Sequence, residues 1–390
     1  MTAEQSASVE TFQADRVATI AGAHAVHDTF LGFLPPILPL LIANFNLAKT
    51  EAGLLSVFVN APSLIQPFIG YLGDRIVLRW VVILGPGVSA ALMSLLGIAP
   101  TYVLVAFLLL LAGLSSAAFH ATGPVMAGNL SGGRLGRGMS FWMVGGELGR
   151  MLGPVIIVSS IELLTFQGTL WLALAGVATS TVLFVLLRNV PARAPNARPT
   201  LPLRQALERM RPILPFLTGV IVLRAFLVTG ISTYLPIFMT EEGANLWFAG
   251  ASLSLMEGAG VAGALLGGSI SDRTGRRPVL VTSLLTAPLC LFLLLGARGF
   301  VQIPVLLLLG FFMLSTAPVI MAIVQESVPE NRALANGIYM AISFVSMSVA
   351  ALAVGALADH FGMRTAFAVS AALSLGSIPF VFGLTRKRRD

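Results

Sequence analysis

Two short stretches decide how this chain is read. One is Gly70-Tyr-Leu-Gly-Asp74-Arg75-Ile-Val-Leu-Arg79; the other, 198 positions later, is Gly268-Ser-Ile-Ser-Asp272-Arg273-Thr-Gly275-Arg276-Arg277. Each is a brief charged interruption between two apolar runs, with glycine, aspartate and arginine in the same order. The same offset carries Arg134 onto Arg332, again between apolar runs. The chain therefore repeats itself, and its two halves are built on one plan.

Working outward, the runs on either side of these loops are long. Of 390 residues, 56% are hydrophobic and only 11% charged, whereas a water-facing domain carries about 25% charged residues. Runs of 18 or more apolar residues recur, each long enough to cross a hydrocarbon core of about 30 Å. They fall near 17–42, 52–72, 80–99, 102–129, 138–160, 169–188, 213–239, 246–270, 278–297, 303–325, 334–357 and 366–385. Their continuity, and the need to satisfy backbone polar groups inside lipid, predict helices. The expected fold is all-α, with twelve transmembrane helices in two pseudo-symmetric six-helix bundles.

Charge gives orientation. Arg75, Arg79, Arg134, Arg137, the arginines from Arg188 to Arg211, Arg273, Arg276, Arg277, Arg332 and the Arg386–Arg389 cluster lie on one side of that topology. Lys49, Arg298 and Arg364 lie on the other. Arginine and lysine accumulate on the cytoplasmic face, so both termini are expected there, in a bacterial inner membrane. The net charge of +7 is then a topology signal, and no nucleic-acid partner is expected, since a basic face on a water-soluble domain is missing. Glu4, Glu10 and Asp15 give the first residues the wrong sign for a cleavable signal. Cys290 is the single cysteine, so no intramolecular disulfide is possible.

The expected organisation is a cytoplasmic tail (1–16), a first bundle (17–188), a linker (189–212), a second bundle (213–385) and a basic tail (386–390). The linker is rich in proline and arginine, and 203–211 reads as a short amphipathic helix on the membrane surface. No P-loop, metal-ligand spacing or nucleophile elbow is legible, so no cofactor, metal or enzymatic activity is expected, and ATP does not drive the protein.

Function in such a chain is read from ionisable residues inside the spans, which are costly there. They are His24, His27, Asp28, His120, Glu147, Arg150, Arg224 and Glu257. His24, His27 and Asp28 share one helix face through i, i+3 and i+4 spacing. Asp28 is a candidate for proton coupling or substrate contact, or else for an ion pair that fixes packing; Glu147 and Glu257 are further proton candidates. Arg224 suits an anion, because a guanidinium holds carboxylate or phosphonate in a bidentate fork; its alternative is a structural partnership with Glu257 or Asp28. Arg150 can bind substrate or simply neutralise Glu147 three residues earlier. A weaker repeat aligns Asp28-Thr-Phe30-Leu31 with Arg224-Ala-Phe226-Leu227, setting an acid in one half where the other carries a base. Gly145, Gly149 and Gly153, followed by Pro154, put small residues every four positions, a spacing for close helix packing.

The pattern G-x-x-x-D-R-x-G-R-R resembles the signature loop of the major facilitator superfamily, over essentially the whole chain. The copy at Gly268, Asp272, Arg273, Arg276 and Arg277 matches well; the copy at Gly70, Asp74, Arg75 and Arg79 departs at Val77 and Leu78. The resemblance implies that these loops act as conformational latches, the bland alternative being topology anchors. Gly145-x-x-x-Gly149-x-x-x-Gly153-Pro154 is similar to the family's antiporter motif. Within the superfamily, His24-x-x-His27-Asp28, Gly113-Leu-Ser115-Ser116-Ala-Ala-Phe119-His120, Ser131-Gly-Gly-Arg134-x-Gly136 and the Val144–Pro154 segment resemble the fosmidomycin-resistance exporters. Those proteins export a small phosphonate by exchange with protons. The family pattern has asparagine at the place of His27 and small or neutral residues at those of Glu147 and Arg150, so the substrate is expected to differ.

The expectation is proton-coupled export of a small, anionic organic compound by a monomer, with protons, substrate and the bilayer as its partners. His24, His27, His120, Arg150 and Arg224 are the substrate-binding candidates. Import of an organic anion with protons is the alternative, and a non-transporting sensor or enzyme the remote one.

Overall fold

The computed structural model describes residues 12–66, 78–132, 135–190, 203–328 and 332–385. Helices α1 (Ala14–Leu31) and α2 (Leu34–Phe45) form the first span. The Gly32 N–H still bonds to the Asp28 carbonyl at the break between them. Pro35 and Pro36 lie in the first turn of α2, where a missing N–H costs nothing. Helix α3 (Lys49–Asn60) continues into a 3-10 turn at Ala61–Ile65. Then follow α4 (Leu78–Ser94), α5 (Tyr102–Leu130), α6 (Leu135–Gly168), α7 (Ala173–Leu187) and the short α8 (Leu203–Met210). The second half holds α9 (Leu214–Glu241), α10 (Leu246–Thr274), α11 (Arg276–Gly296), α12 (Gln302–Ser327), α13 (Arg332–Leu375) and α14 (Ile378–Leu384).

Nine of the helical stretches among the described residues are long and apolar enough to cross a membrane. Two of these, Gly138–Leu187 and Gly337–Leu384, contain a reversal each, at Thr165 (φ 68°) and Gly362 (φ 79°). Each therefore holds two spans. The twelfth is α3 with its 3-10 extension, whose far end runs to the limit of the described residues. Helix starts are set by local chemistry: Asn245 Oδ1 accepts from Phe248 N at 2.7 Å, and Glu51 Oε2 accepts from Ala48 N at 2.8 Å, each satisfying an orphan donor of a first turn.

The chain clusters into two compact units. The first comprises 1–34 and 58–197, the second 35–57 and 198–390. In the first, Val17, Ile20, Val82, Ile83, Phe119 and Trp142 are central to a buried cluster. In the second, Leu217, Leu280, Leu284, Val319, Ile320 and Tyr339 belong to another. Large apolar side chains also face outward, including Leu163, Trp171, Leu174 and Leu293, as a lipid-facing surface requires. Apolar burial adds little between helices already in lipid, so close packing and hydrogen bonds must hold them together. Accordingly, a Cβ on Gly145, Gly149 or Gly153 would strike the α1 backbone at Ala21, Ala25 and Thr29 respectively. Polar side chains bond across helices too, as in Ser283–Ser315 (2.7 Å).

Candidate functional site

The first unit assembles its ionisable residues around α1. His24 and Asp28 are one helical turn apart, and the imidazole Nε2 of His24 lies 3.3 Å from Asp28 Oδ2. His120, from α5, brings its Nε2 to 3.4 Å from Asp28 Oδ1 and 3.1 Å from His24 Nε2. Four donor or acceptor atoms of three residues on two helices thus converge. Both rings are fixed from behind. His24 Nδ1 is 2.8 Å from the Trp142 carbonyl, and His120 Nδ1 is 3.0 Å from the Ser116 carbonyl. A carbonyl only accepts, so each Nδ1 carries its proton and donates. In the neutral tautomers both Nε2 atoms therefore present lone pairs to one another and to a carboxylate. Such a cluster calls for a cation.

Packing enforces this arrangement. The His24 ring stacks on Trp142 with centroids 3.7 Å apart. On α6, Gly146 leaves room for it: a Cβ there would stand 2.7 Å from His24 Nε2 and 3.2 Å from Asp28 Oδ2. Gly149 likewise admits Asp28, whose Cβ would be 2.8 Å from an added methyl. Asp28 is 5% exposed, while the His120 side chain retains 28% exposure and gives the cluster its open side. His27 is fully buried, stacked on Phe119 at 4.3 Å, and neither ring nitrogen makes a hydrogen bond. The structure thus joins His24, Asp28 and His120 and seals His27 beside them.

On α6, Glu147 Oε1 pairs with Arg150 Nη2 within the helix. Glu147 Oε2 is buried without a hydrogen-bond partner, and Arg150 is about half exposed.

In the second unit, Arg224 projects from α9 towards α12. Its Nε donates to Thr316 Oγ1 at 2.6 Å and its Nη2 to the Met313 carbonyl at 3.2 Å. Among the described residues no carboxylate forms an ion pair with it. Glu257, 8% exposed on α10, instead accepts from Ser232 Oγ at 3.1 Å. Sequence reasoning missed Thr316 and Met313, which lie about 90 positions from Arg224; nothing local to the arginine marks them. Trp142 was missed for the same reason.

Of the two repeated loops, Gly70, Asp74 and Arg75 lie outside the described residues. Arg79 reaches the Arg188 carbonyl and, at 3.4 Å, that of Val190. In the second loop Arg276 bridges Asp272 (2.6 Å) and Glu326 (2.7 Å), and Arg277 donates to Thr385. Gly275, at φ 95°, adopts the left-handed backbone that L side chains resist, which explains the second glycine of the motif. Arg273 lies in the last turn of α10, where a cation complements the helix dipole, and Gly268 is in the same helix.

Comparison with known proteins agrees with this architecture. The sequence profile described as Major Facilitator Superfamily matches residues 20–329 and again 253–390. The fosmidomycin resistance protein of Escherichia coli (strain K12) is 26% identical over 381 residues, covering 96% of this chain and 94% of that protein. The uncharacterized MFS-type transporter YfnC of Bacillus subtilis (strain 168) is 26% identical over 382 residues, covering 94% and 92%. Among solved structures, a bacterial homolog of the human lysosomal transporter Spinster superposes with a TM-score of 0.80 at 12% identity, covering 95% and 96% of the two chains. A D-xylose-proton symporter gives 0.72 at 18% identity, covering 94% and 96%. With twelve spans and a profile match along nearly its whole length, the chain belongs to the Major Facilitator Superfamily and is a membrane transporter, not an enzyme.

Proposed function

We propose that the protein exports a small organic anion in exchange for protons, by alternating access across a bacterial inner membrane with both termini in the cytoplasm. The observation that carries this reading is the convergence of Asp28 Oδ1 and Oδ2 with two imidazole Nε2 atoms at 3.3–3.4 Å inside a membrane span. Three unprotonated acceptors so close together repel one another, and a single proton relieves the repulsion. Proton uptake and release at this cluster is the proposed coupling step. Glu147 and Glu257 stand behind it as secondary carriers.

Arg224 supports the anionic substrate. A guanidinium in a membrane span is expensive, and a hydroxyl and a carbonyl compensate it without neutralising its charge. A carboxylate or phosphonate would do so. Arg150, half exposed beside Glu147, is a second contact, and His24, His27 and His120 complete the candidate set. The direction of transport rests on the likeness to the fosmidomycin resistance protein and on the Gly145–Pro154 motif. The loops at Asp74 and Asp272 are proposed as conformational latches.

The test is flux in proteoliposomes under an imposed pH gradient, with phosphonates, carboxylates and cationic drugs as substrates. Gradient-driven anion movement should be lost in Arg224→Gln, while Asp28→Asn should leave substrate binding but uncouple flux from the gradient. Movement of cations, or anion flux indifferent to Arg224, would sink the anion site. Accumulation inside expressing cells rather than depletion would reverse the direction to import.

A further inference from the structure

We propose that His24, Asp28 and His120 form a binding site for a divalent first-row transition-metal ion such as Zn²⁺ or Co²⁺. The inference uses the same side-chain placement as the proton site, but it does not depend on transport. Its basis is the spacing of the donor atoms. Zinc holds nitrogen and oxygen ligands at about 2.0–2.2 Å, and tetrahedral angles then put neighbouring donors about 3.4 Å apart. The two imidazole Nε2 atoms lie 3.1 Å apart, and Asp28 meets them with both carboxylate oxygens, Oδ2 3.3 Å from His24 Nε2 and Oδ1 3.4 Å from His120 Nε2. One donor atom from each residue falls within 4.8 Å of the others. One proton can bridge a single pair of these groups, whereas one metal ion engages all three residues.

The surroundings have the form a metal site needs. Metal-bound imidazoles donate their other ring N–H to a carbonyl or carboxylate, which fixes the tautomer and aims the lone pair. Both rings do so, to the Trp142 and Ser116 carbonyls. Asp28 Oδ1 is buried and makes no hydrogen bond, so it faces the cluster unsatisfied. Two imidazoles and one carboxylate suit zinc and its neighbours rather than magnesium or calcium, which prefer oxygen alone. Three protein ligands leave a fourth position for water or a substrate atom, and the open side at His120 provides it. The sequence hid this site because His120 lies 92 positions beyond Asp28, without the close spacing that marks metal motifs.

The experiment is Co²⁺ binding to the full-length protein in detergent, followed by equilibrium dialysis and by the visible d–d bands of low-coordinate cobalt. One equivalent should bind, Zn²⁺ should displace it, and Mg²⁺ should not. His120→Gln and Asp28→Asn should each weaken binding at least about tenfold, whereas His360→Gln, remote in sequence and exposed just before the Gly362 break in α13, should not. His120→Gln is the safer variant for folding, since its ring is the most exposed of the three. No cobalt binding by the wild type, or equal binding in both site variants, would overturn the proposal. Flux in chelator-treated liposomes is the separate control. Gradient-driven flux without metal binding ends the metal site alone, and metal binding without such flux ends the proton reading alone.

Discussion

His24 shows how narrowly one residue is specified. Its ring is held between Trp142 on one face and the space left by Gly146, while its two nitrogens serve a carbonyl and a carboxylate. Gly146→Ala would place a methyl 2.7 Å from Nε2. The expected cost is about 1–3 kcal/mol of overpacking, read as a lower melting temperature, with coupled flux reduced as the ring is displaced. A variant with unchanged melting and flux would show that the ring is not confined as described. At this scale the sequence was half legible. His24 and Asp28 announce each other through i, i+4 spacing, and their presence in an apolar run announces a function. His120, Trp142 and Thr316 do not, because their distance from the residues they serve is created only by helix packing.

Elements carry a different kind of information. The Gly145, Gly149 and Gly153 stripe was readable as a packing face; its partner was not, since a small-residue period fixes a spacing without naming the helix that fills it. Here it is α1, at Ala21, Ala25 and Thr29. Gly149→Leu should therefore separate α1 from α6 and lower the melting temperature by more than Leu148→Ala, a change at an exposed neighbour. Helix ends were less legible than helices, but the break at Gly362 falls at the centre of the gap predicted between the spans 334–357 and 366–385. Close to that break, Arg364 Nε donates to Glu242 Oε1 at 2.8 Å and its Nη1 to the Leu295 carbonyl at 2.5 Å. The hydrogen bonds from Arg364, more than its charge alone, hold the Glu242 carboxyl below the ordinary range. A lowered folded-state value means that the stabilisation is present above about pH 4.5 and is lost as pH falls through the lowered value. The pair is largely at the surface, so about 0.5 kcal/mol is expected. Thermal melts from pH 7 to pH 3 should show this increment disappear in wild type and be absent throughout in Glu242→Gln.

At the scale of the whole molecule, the repeat predicted two halves divided at a linker, and the described contacts add something the repeat does not contain. Residues 35–57 cluster with 198–390. Asp359 caps the start of α3, accepting from Lys49 N at 2.7 Å, Thr50 N at 2.9 Å and Thr50 Oγ1 at 2.6 Å. Tyr234 Oη donates to the Ala351 carbonyl at 2.6 Å, lies 3.2 Å from that of Lys49, and packs on Gly355. Lys49 Nζ pairs with Glu241 at 2.8 Å. Asp359→Ala removes a cap and should cost about 0.5–2 kcal/mol, measured by thermal melting. Asp359→Asn should recover part of that loss, because an amide oxygen still accepts. Equal stability in all three proteins would show that the carboxylate contributes nothing there.

That early segment has a consequence for biogenesis. Residues 35–57 leave the ribosome long before α9 and α13, so the groups on Tyr234, Glu241 and Asp359 meet their partners only after most of the chain has been synthesised. A gene cut within the linker would yield a C-terminal fragment that lacks part of its own compact unit. Expressed alone it should be degraded, and expressed with the N-terminal fragment it should accumulate, which makes the covalent order of the chain a timetable for membrane assembly.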